Sequence, residues 1–259
     1  MALDIAALRA KLNTFQGQTK RTSAFWRPTE GKSQVRIVPL SDCPENPFIE
    51  LYFHYLGGRS HLSPISNGNR DPIAEFAENL RAEGSRDAYQ QARAFMPKLR
   101  TFVPVVVRGE EDKGVRFYSF GKTVYQALLS YIADPDYGDI THIETGRDIV
   151  VDYTPQEKSD TNFAKTNILV KPNQTPLSED SELVERWTTN QPQADKLFKE
   201  PSFDELSDVL KRYLDPNSAD GDASTTEQVT APATVQKNAK ASDDKVKSAV
   251  DEFESLFSE

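Results

Sequence analysis

Between Lys98 and Tyr125 the chain reads KLRTFVPVVVRGEEDKGVRFYSFGKTVY. Val103 to Val107 is a β-branched run broken only by Pro104, RGEEDKG is a charged turn, and VRFYSF is a second strand that runs into a helix. Period two places Val115, Phe117 and Ser119 on one face of that second strand and Arg116, Tyr118 and Phe120 on the other. Lys98, Arg100 and Phe102 lie at the mouth of the first strand, and Lys122 follows the second. Cations interleaved with rings suit a single-stranded nucleic acid. Rings stack bases at about 1–3 kcal/mol each, and cations neutralise phosphates. The competing reading makes the rings core and the cations snorkelling stems. The segment by itself leaves both open.

Charge is distributed unevenly over the 259 residues, whose formal net charge is -9. Residues 1–122 hold about 18 basic and 13 acidic side chains, and residues 123–259 about 13 and 27. A mildly cationic front half joined to a strongly anionic back half fits a polyanion-binding body with an acidic tail; such tails can also act only as solubilisers. No apolar run is long enough to span a membrane, and the N-terminus lacks the apolar core of a signal peptide. Cys43 is the only cysteine, which excludes an internal disulfide and a cysteine-based zinc cage. A soluble cytoplasmic protein with no membrane partner is expected.

Residues 2–13 predict a short amphipathic helix, with Ile5, Leu8 and Leu12 as its stripe, followed by a polar linker with the basic step Lys20-Arg21. The compact domain is expected to begin at Phe25-Trp26. Strands are predicted at QVRIVPL, at Phe48–Leu56, in the central pair, at 147–153 and at 167–171. GGRS reads as a turn, residues 61–72 as an irregular loop, and 73–95 as helical with a break near Gly84-Ser85. Residues 179–214 read as an acidic helical extension. Residues 215–259 read as a disordered acidic tail whose tip carries Phe253, Leu256 and Phe257 on an amphipathic pattern. The expected class is mainly β with helical additions (α+β). The expected domains are an arm at 1–24, a core at 25–178, the extension at 179–214 and the tail at 215–259. A partly open barrel of the oligonucleotide-binding (OB-fold-like) type accommodates this set of elements.

Several stretches, in this order, carry a resemblance: the N-terminal helix ending in AKLN, Phe25-Trp26, VRIVP with Arg36, the aromatic strand ending at His54, YSFGKTVY, the hairpin TNFAK and the acidic-apolar C-terminal tip. Together they resemble the single-stranded DNA-binding, helix-destabilising proteins of T-even-type tailed phages. The resemblance runs through nearly the whole chain. It implies a phage protein of the host cytoplasm that coats single-stranded DNA cooperatively and without sequence preference during replication, recombination and repair. It implies self-association through the arm (Leu8, Leu12, Lys20, Arg21). It further implies that the acidic tail recruits partners such as a polymerase, a helicase loader and a recombinase through Phe253, Leu256 and Phe257. On matching positions it brings Arg36, Lys98, Arg100, Phe102, Tyr118, Phe120, Lys122 and Phe163 to the DNA, and Arg116 lies on the same strand face. Phe120, at a strand end before Gly-Lys, could equally pack beneath the helix.

The chain departs from that family at two places. Many relatives bind zinc through one His and three Cys after the aromatic strand. Here HYLGGRSHLSPISNGNRDPIAEF keeps His54 and His61 without a cysteine, so no zinc and no other cofactor is expected, with apolar packing of residues 73–80 in its place. The basic Lys20-Arg21-Thr22-Ser23 follows the first helix, whereas relatives often carry such a motif before it. No phosphate-binding glycine loop, nucleophile elbow or triad context for His54, His61 or His142 is present, and Asp134, Asp136 and Asp139 lie in a loop without partner acids. An enzyme is therefore not expected. RNA binding or a non-nucleic-acid interaction scaffold is the alternative.

Overall fold

The computed structural model describes residues 24–193 and 197–215. The expected arm residues Leu8, Leu12, Lys20 and Arg21 and the tail residues Phe253, Leu256 and Phe257 lie outside these. The described chain is mixed α+β. Eight strands form one sheet: β1 (Phe25–Trp26), β2 (Gly31–Ile37), β3 (Ile49–Leu56), β4 (Arg59–Leu62), β5 (Lys98–Val107), β6 (Arg116–Gly121), β7 (Arg147–Thr154) and β8 (Lys165–Gln174). Five α-helices accompany it: α1 (Pro72–Ala82), α2 (Arg86–Phe95), α3 (Lys122–Ala133), α4 (Ser181–Thr189) and α5 (Phe203–Leu214).

The sheet order is β1-β6-β5-β2-β7-β8, with β3 and β4 branching from β5. All pairings are antiparallel except β1 on β6. Among the described residues β1 and β8 do not pair, so the sheet is open and not a closed barrel. β5 is the hub. One edge takes all of β6, while the other is divided between β3, opposite Lys98–Phe102, and β2, opposite Val105–Val107. Pro104 sits between those two partners. Its carbonyl accepts from Val38 N at 2.9 Å, and its missing N–H falls where neither neighbour needs a ladder bond.

Both faces of β5 are covered. On one, Val103 and Val105 pack with Trp26, Val35, Ile37, Tyr118, Phe120, Ile149 and Val151 beneath Val124 and Leu128 of α3. On the other, Val106 packs with Val38, Val115, Leu177 and Trp187 of α4, and Phe102 with Phe53, Leu62, Phe117, Phe25 and Phe198. A third centre lies between helices: Ile73, Phe76, Ala77 and Leu80 of α1 meet Leu56, Ala92, Phe95 and, from α5, Leu206 and Leu210. The acidic extension is thus part of the packed unit. A capping box between Ser202 and Glu205 starts α5.

Two stretches differ from the sequence reading. Residues 59–62, expected as turn and loop, form β4 on β3, because the left-handed glycines Gly57 (φ 58) and Gly58 (φ 75) make a two-residue hairpin. β5 also starts five residues before its apolar run, because β3 supplies backbone partners as far as Lys98.

His54 closes the joint between sheet and helices. Its Nδ1 contacts the Phe95 carbonyl at 2.7 Å, its Nε2 meets Asp71 at 2.8 Å, and the Ser63 hydroxyl donates to the same Asp71 oxygen. Asp71 also caps α1 by accepting from Ile73 N and Ala74 N. Burial pushes the Asp71 carboxyl up, but the His54 contact, the Ser63 hydroxyl and the Ala74 amide outweigh it and hold the group below its ordinary value. A carboxyl depressed on folding adds stability above its unfolded pKa, and that contribution is lost as pH falls through the lower folded value. Asp71→Asn keeps the cap and loses the charged bond. It should cost about 1.5–3 kcal/mol at pH 7 and flatten the acid limb of stability below about pH 4. Urea unfolding from pH 3 to 7 checks this, and a variant whose acid limb matched the wild type would rule it out.

Candidate nucleic-acid interface

The start of β5 and the end of β6 bring cations together. Register places Arg100 opposite Gly121 on one side and Leu51 on the other. The Arg100 guanidinium donates to Ser119 Oγ at 3.1 Å and packs against Gly121, where a Cβ would lie 3.8 Å from it. Gly121 is the N-cap of α3, and no side chain caps that helix. Lys122 is therefore its exposed first residue, beside backbone N–H groups that lack intrahelical partners. Lys98, two residues before Arg100 and so on the same face, holds its ammonium 5.7 Å from the centre of the Tyr55 ring. Burial raises the Tyr55 hydroxyl pKa while nearby Arg100 lowers it, with burial the larger effect. Among the described residues Lys98, Arg100 and Lys122 form no ion pair with an acid. Glu50 of β3 is paired with Thr101, which points to the opposite face. Glu50 accepts from Tyr125 Oη at 2.7 Å, and burial and this bond push the Tyr125 hydroxyl up to about 12.

The other expected contacts lie elsewhere. Phe102, Tyr118 and Phe120 are 3%, 4% and 3% exposed. They are core rings: Tyr118 packs on Trp26 and Phe120, and Phe102 on Phe25, Phe53 and Phe198. Burial raises the Tyr118 hydroxyl well above its ordinary value. For these three the core reading holds, because α3 covers one face and the segment around Phe198 the other. Arg116 is also buried, and its guanidinium reaches back to Glu110 in the preceding turn, where Lys113 binds as well. Phe163, 59% exposed, stands on the β7–β8 connection. No ring contact among the described residues joins it to the Lys98 group.

Arg36 is the largest displacement from expectation. Its side chain is fully buried. It donates to the His142 carbonyl at 2.7 Å and to the Thr175 carbonyl at 2.9 Å, and lies 3.7 Å from Asp148. Burial lowers its pKa to about 10, with Asp148 opposing the fall, and the group stays charged at neutral pH. Arg108 clamps the same Asp148 from the other side and donates to the Leu177 carbonyl at 2.8 Å. Gly146 makes room for this knot: a Cβ there would strike the Arg36 guanidinium and the carbonyls of His142 and Ile140. Arg36 therefore joins β2, β7 and the segment after β8 inside the protein.

The His54 site also differs from the pattern that the resemblance would imply. Both ring nitrogens are engaged by Phe95 and Asp71, and neither the loop nor the helices bring a thiolate to it, so the residues present do not fit the zinc site that the resemblance would imply. Ser63 donates to Asp71 and not to His54, so this buried group lacks the arrangement that activates a serine nucleophile. Apolar packing of residues 73–80 is present as expected, and the His54–Asp71 bond adds to it. Sequence reading missed Tyr55 and the α3 N-terminus. Tyr55 lay in an aromatic strand already noted, but its neighbour Lys98 depends on a cross-strand register the sequence does not display.

No family model matches the chain, and no curated protein matches it. No described helix is long and apolar enough to cross a membrane.

Arg36→Ala should cost about 3 kcal/mol by leaving buried acceptors and Asp148 short of a partner, lowering the melting temperature by about 6–12 °C. Arg100→Ala, at the half-buried rim, should cost less than about 1 kcal/mol. Thermal unfolding of the two variants checks the contrast, and an unaffected Arg36→Ala would overturn the internal role.

Proposed function

We propose that this chain is a single-stranded DNA-binding protein of the T-even-phage kind, and that its open sheet is a variant of the OB-type barrel. The observation that carries the proposal is the convergence of Lys98, Arg100 and Lys122, free of acid partners, at one corner of the sheet beside Tyr55 and the uncapped start of α3. Phosphates of a flexible strand lie against these cations, and Tyr55 offers one ring to a base. With Phe102, Tyr118 and Phe120 in the core, phosphate neutralisation carries more of the affinity than base stacking, which makes binding insensitive to sequence and steeply dependent on salt. Coating favours the single-stranded form by mass action. In this reading the arm at 1–24 links neighbouring molecules. The acidic tail recruits replication, recombination and repair proteins in the host cytoplasm and competes with DNA for the cationic corner. No step requires a metal or cofactor.

A second reading, an interaction scaffold, draws on two exposed apolar side chains of the β7–β8 hairpin, Phe163 and Leu169, the latter 58% exposed. Both readings are tested by fluorescence polarisation with labelled oligo-dT and its duplex, over a salt series. The DNA reading predicts tight binding to the single strand, weak binding to the duplex, and a double variant Lys98→Ala/Arg100→Ala that loses at least about tenfold in affinity and about 1.4 from the log–log salt slope. Binding unchanged in that variant would remove the corner from the site. Absence of single-strand binding, with and without the tail, would leave the scaffold.

A further inference from the structure

Next to the cationic corner lies a shallow pocket of about 390 Å³ between the end of α2 and the start of β5. Gln90, Arg93 and Ala94 come from α2, Met96 and Pro97 from the connection, and Lys98 from β5. The helix buries Ala88, Ala92 and Phe95, so its opposite side, with Gln90 and Arg93 one turn apart, is turned outward. Arg93 is exposed and, among the described residues, forms no ion pair. The pocket therefore has two cations at its rim, one amide that can donate and accept, and a floor of a thioether and a proline ring.

These groups match one unit of a polynucleotide. A phosphate needs cations, a base edge needs a donor and an acceptor, and a base face needs an apolar surface. The C-terminal dipole of α2 opposes an anion here, but it amounts to about half an elementary charge against two full cations. Lys98 belongs both to this pocket and to the corner with Arg100 and Tyr55, so one strand can pass from the first to the second without leaving positive charge.

We propose that the α2–β5 pocket is a subsite for a further nucleotide of the bound single strand, with Arg93 on its phosphate, Gln90 at the base edge and Met96 and Pro97 beneath the base. This rests on the single-strand reading above and extends it beyond the sheet onto a helix.

The test uses the full chain and oligo-dT series from about 4 to about 16 nucleotides, the range of single-site footprints. Arg93→Ala should weaken binding of the longer oligonucleotides by about fivefold at low salt and reduce the log–log salt slope by about 0.7, one phosphate contact on a single strand. Arg93→Lys should keep the slope. Arg93 is exposed, so melting temperatures should match across the three proteins. If Arg93→Ala bound every length with wild-type affinity and slope while Arg100→Ala weakened binding, the pocket would be off the strand's path and the DNA reading would stand. If the wild type bound no single strand, both would fall.

Discussion

Strand β5 makes hydrogen bonds to three other strands, and every residue from Thr101 to Val107 is buried. A strand in that position needs apolar cover on both faces, and the chain supplies it from distant segments: α3 on one side, and α4 with the Phe198 segment on the other. That demand consumes the rings that would otherwise have faced solvent. It leaves polar function to the two places where cover ends, the start of β5 with the end of β6, and the turn at residues 108–115. The turn carries its own acids, and Glu110 neutralises Arg116 and Lys113. At the start, Lys98 and Arg100 have no acid partner among the described residues, and the nearby Glu50 lies on the opposite face, bonded to Tyr125.

Two buried polar knots hold the layers in place. Arg36–Asp148–Arg108 joins β2, β7 and the segment after β8, and Ser63–Asp71–His54 joins β3 to α1 and α2. Burying charge is costly unless partners surround it, and such a network then fixes one arrangement of the elements around it; in the first knot both terminal nitrogens of Arg36 are bonded while its Nε has no hydrogen-bond partner among the described residues. In the second knot a carboxylate and an imidazole meet, and the neighbouring face of Ile73, Phe76, Ala77 and Leu80 supplies the rest of the cohesion.

Much of the architecture was legible in the sequence. The strand–turn–strand–helix of residues 98–133 and the apolar face of residues 73–80 follow from local periodicity, and both are present. That both faces of β6 are covered was not legible. Alternation identifies two faces but not what covers each, and the covers of Phe102 and Val106 come from Phe198 and Trp187, about 80 to 100 positions away. The resemblance brought Arg36 to the DNA, and nothing local in its strand announces burial, because its partners Asp148 and Thr175 lie more than 100 residues on. The pairing of Lys98 with Tyr55 likewise depends on register set by β3.

The claim on which the functional account turns is that single-stranded DNA lies over the corner at Lys98 and Lys122. Lysine acetylation of the full chain, read by mass spectrometry with and without oligo-dT, addresses it directly, since Lys32, Lys98, Lys122 and Lys165 are all exposed. The account predicts that DNA protects Lys98 and Lys122 while Lys32 and Lys165, on the β2 and β8 side, keep their reactivity. Protection of Lys32 and Lys165 with Lys98 and Lys122 unchanged would contradict it and move the strand to the open face of β2, β7 and β8.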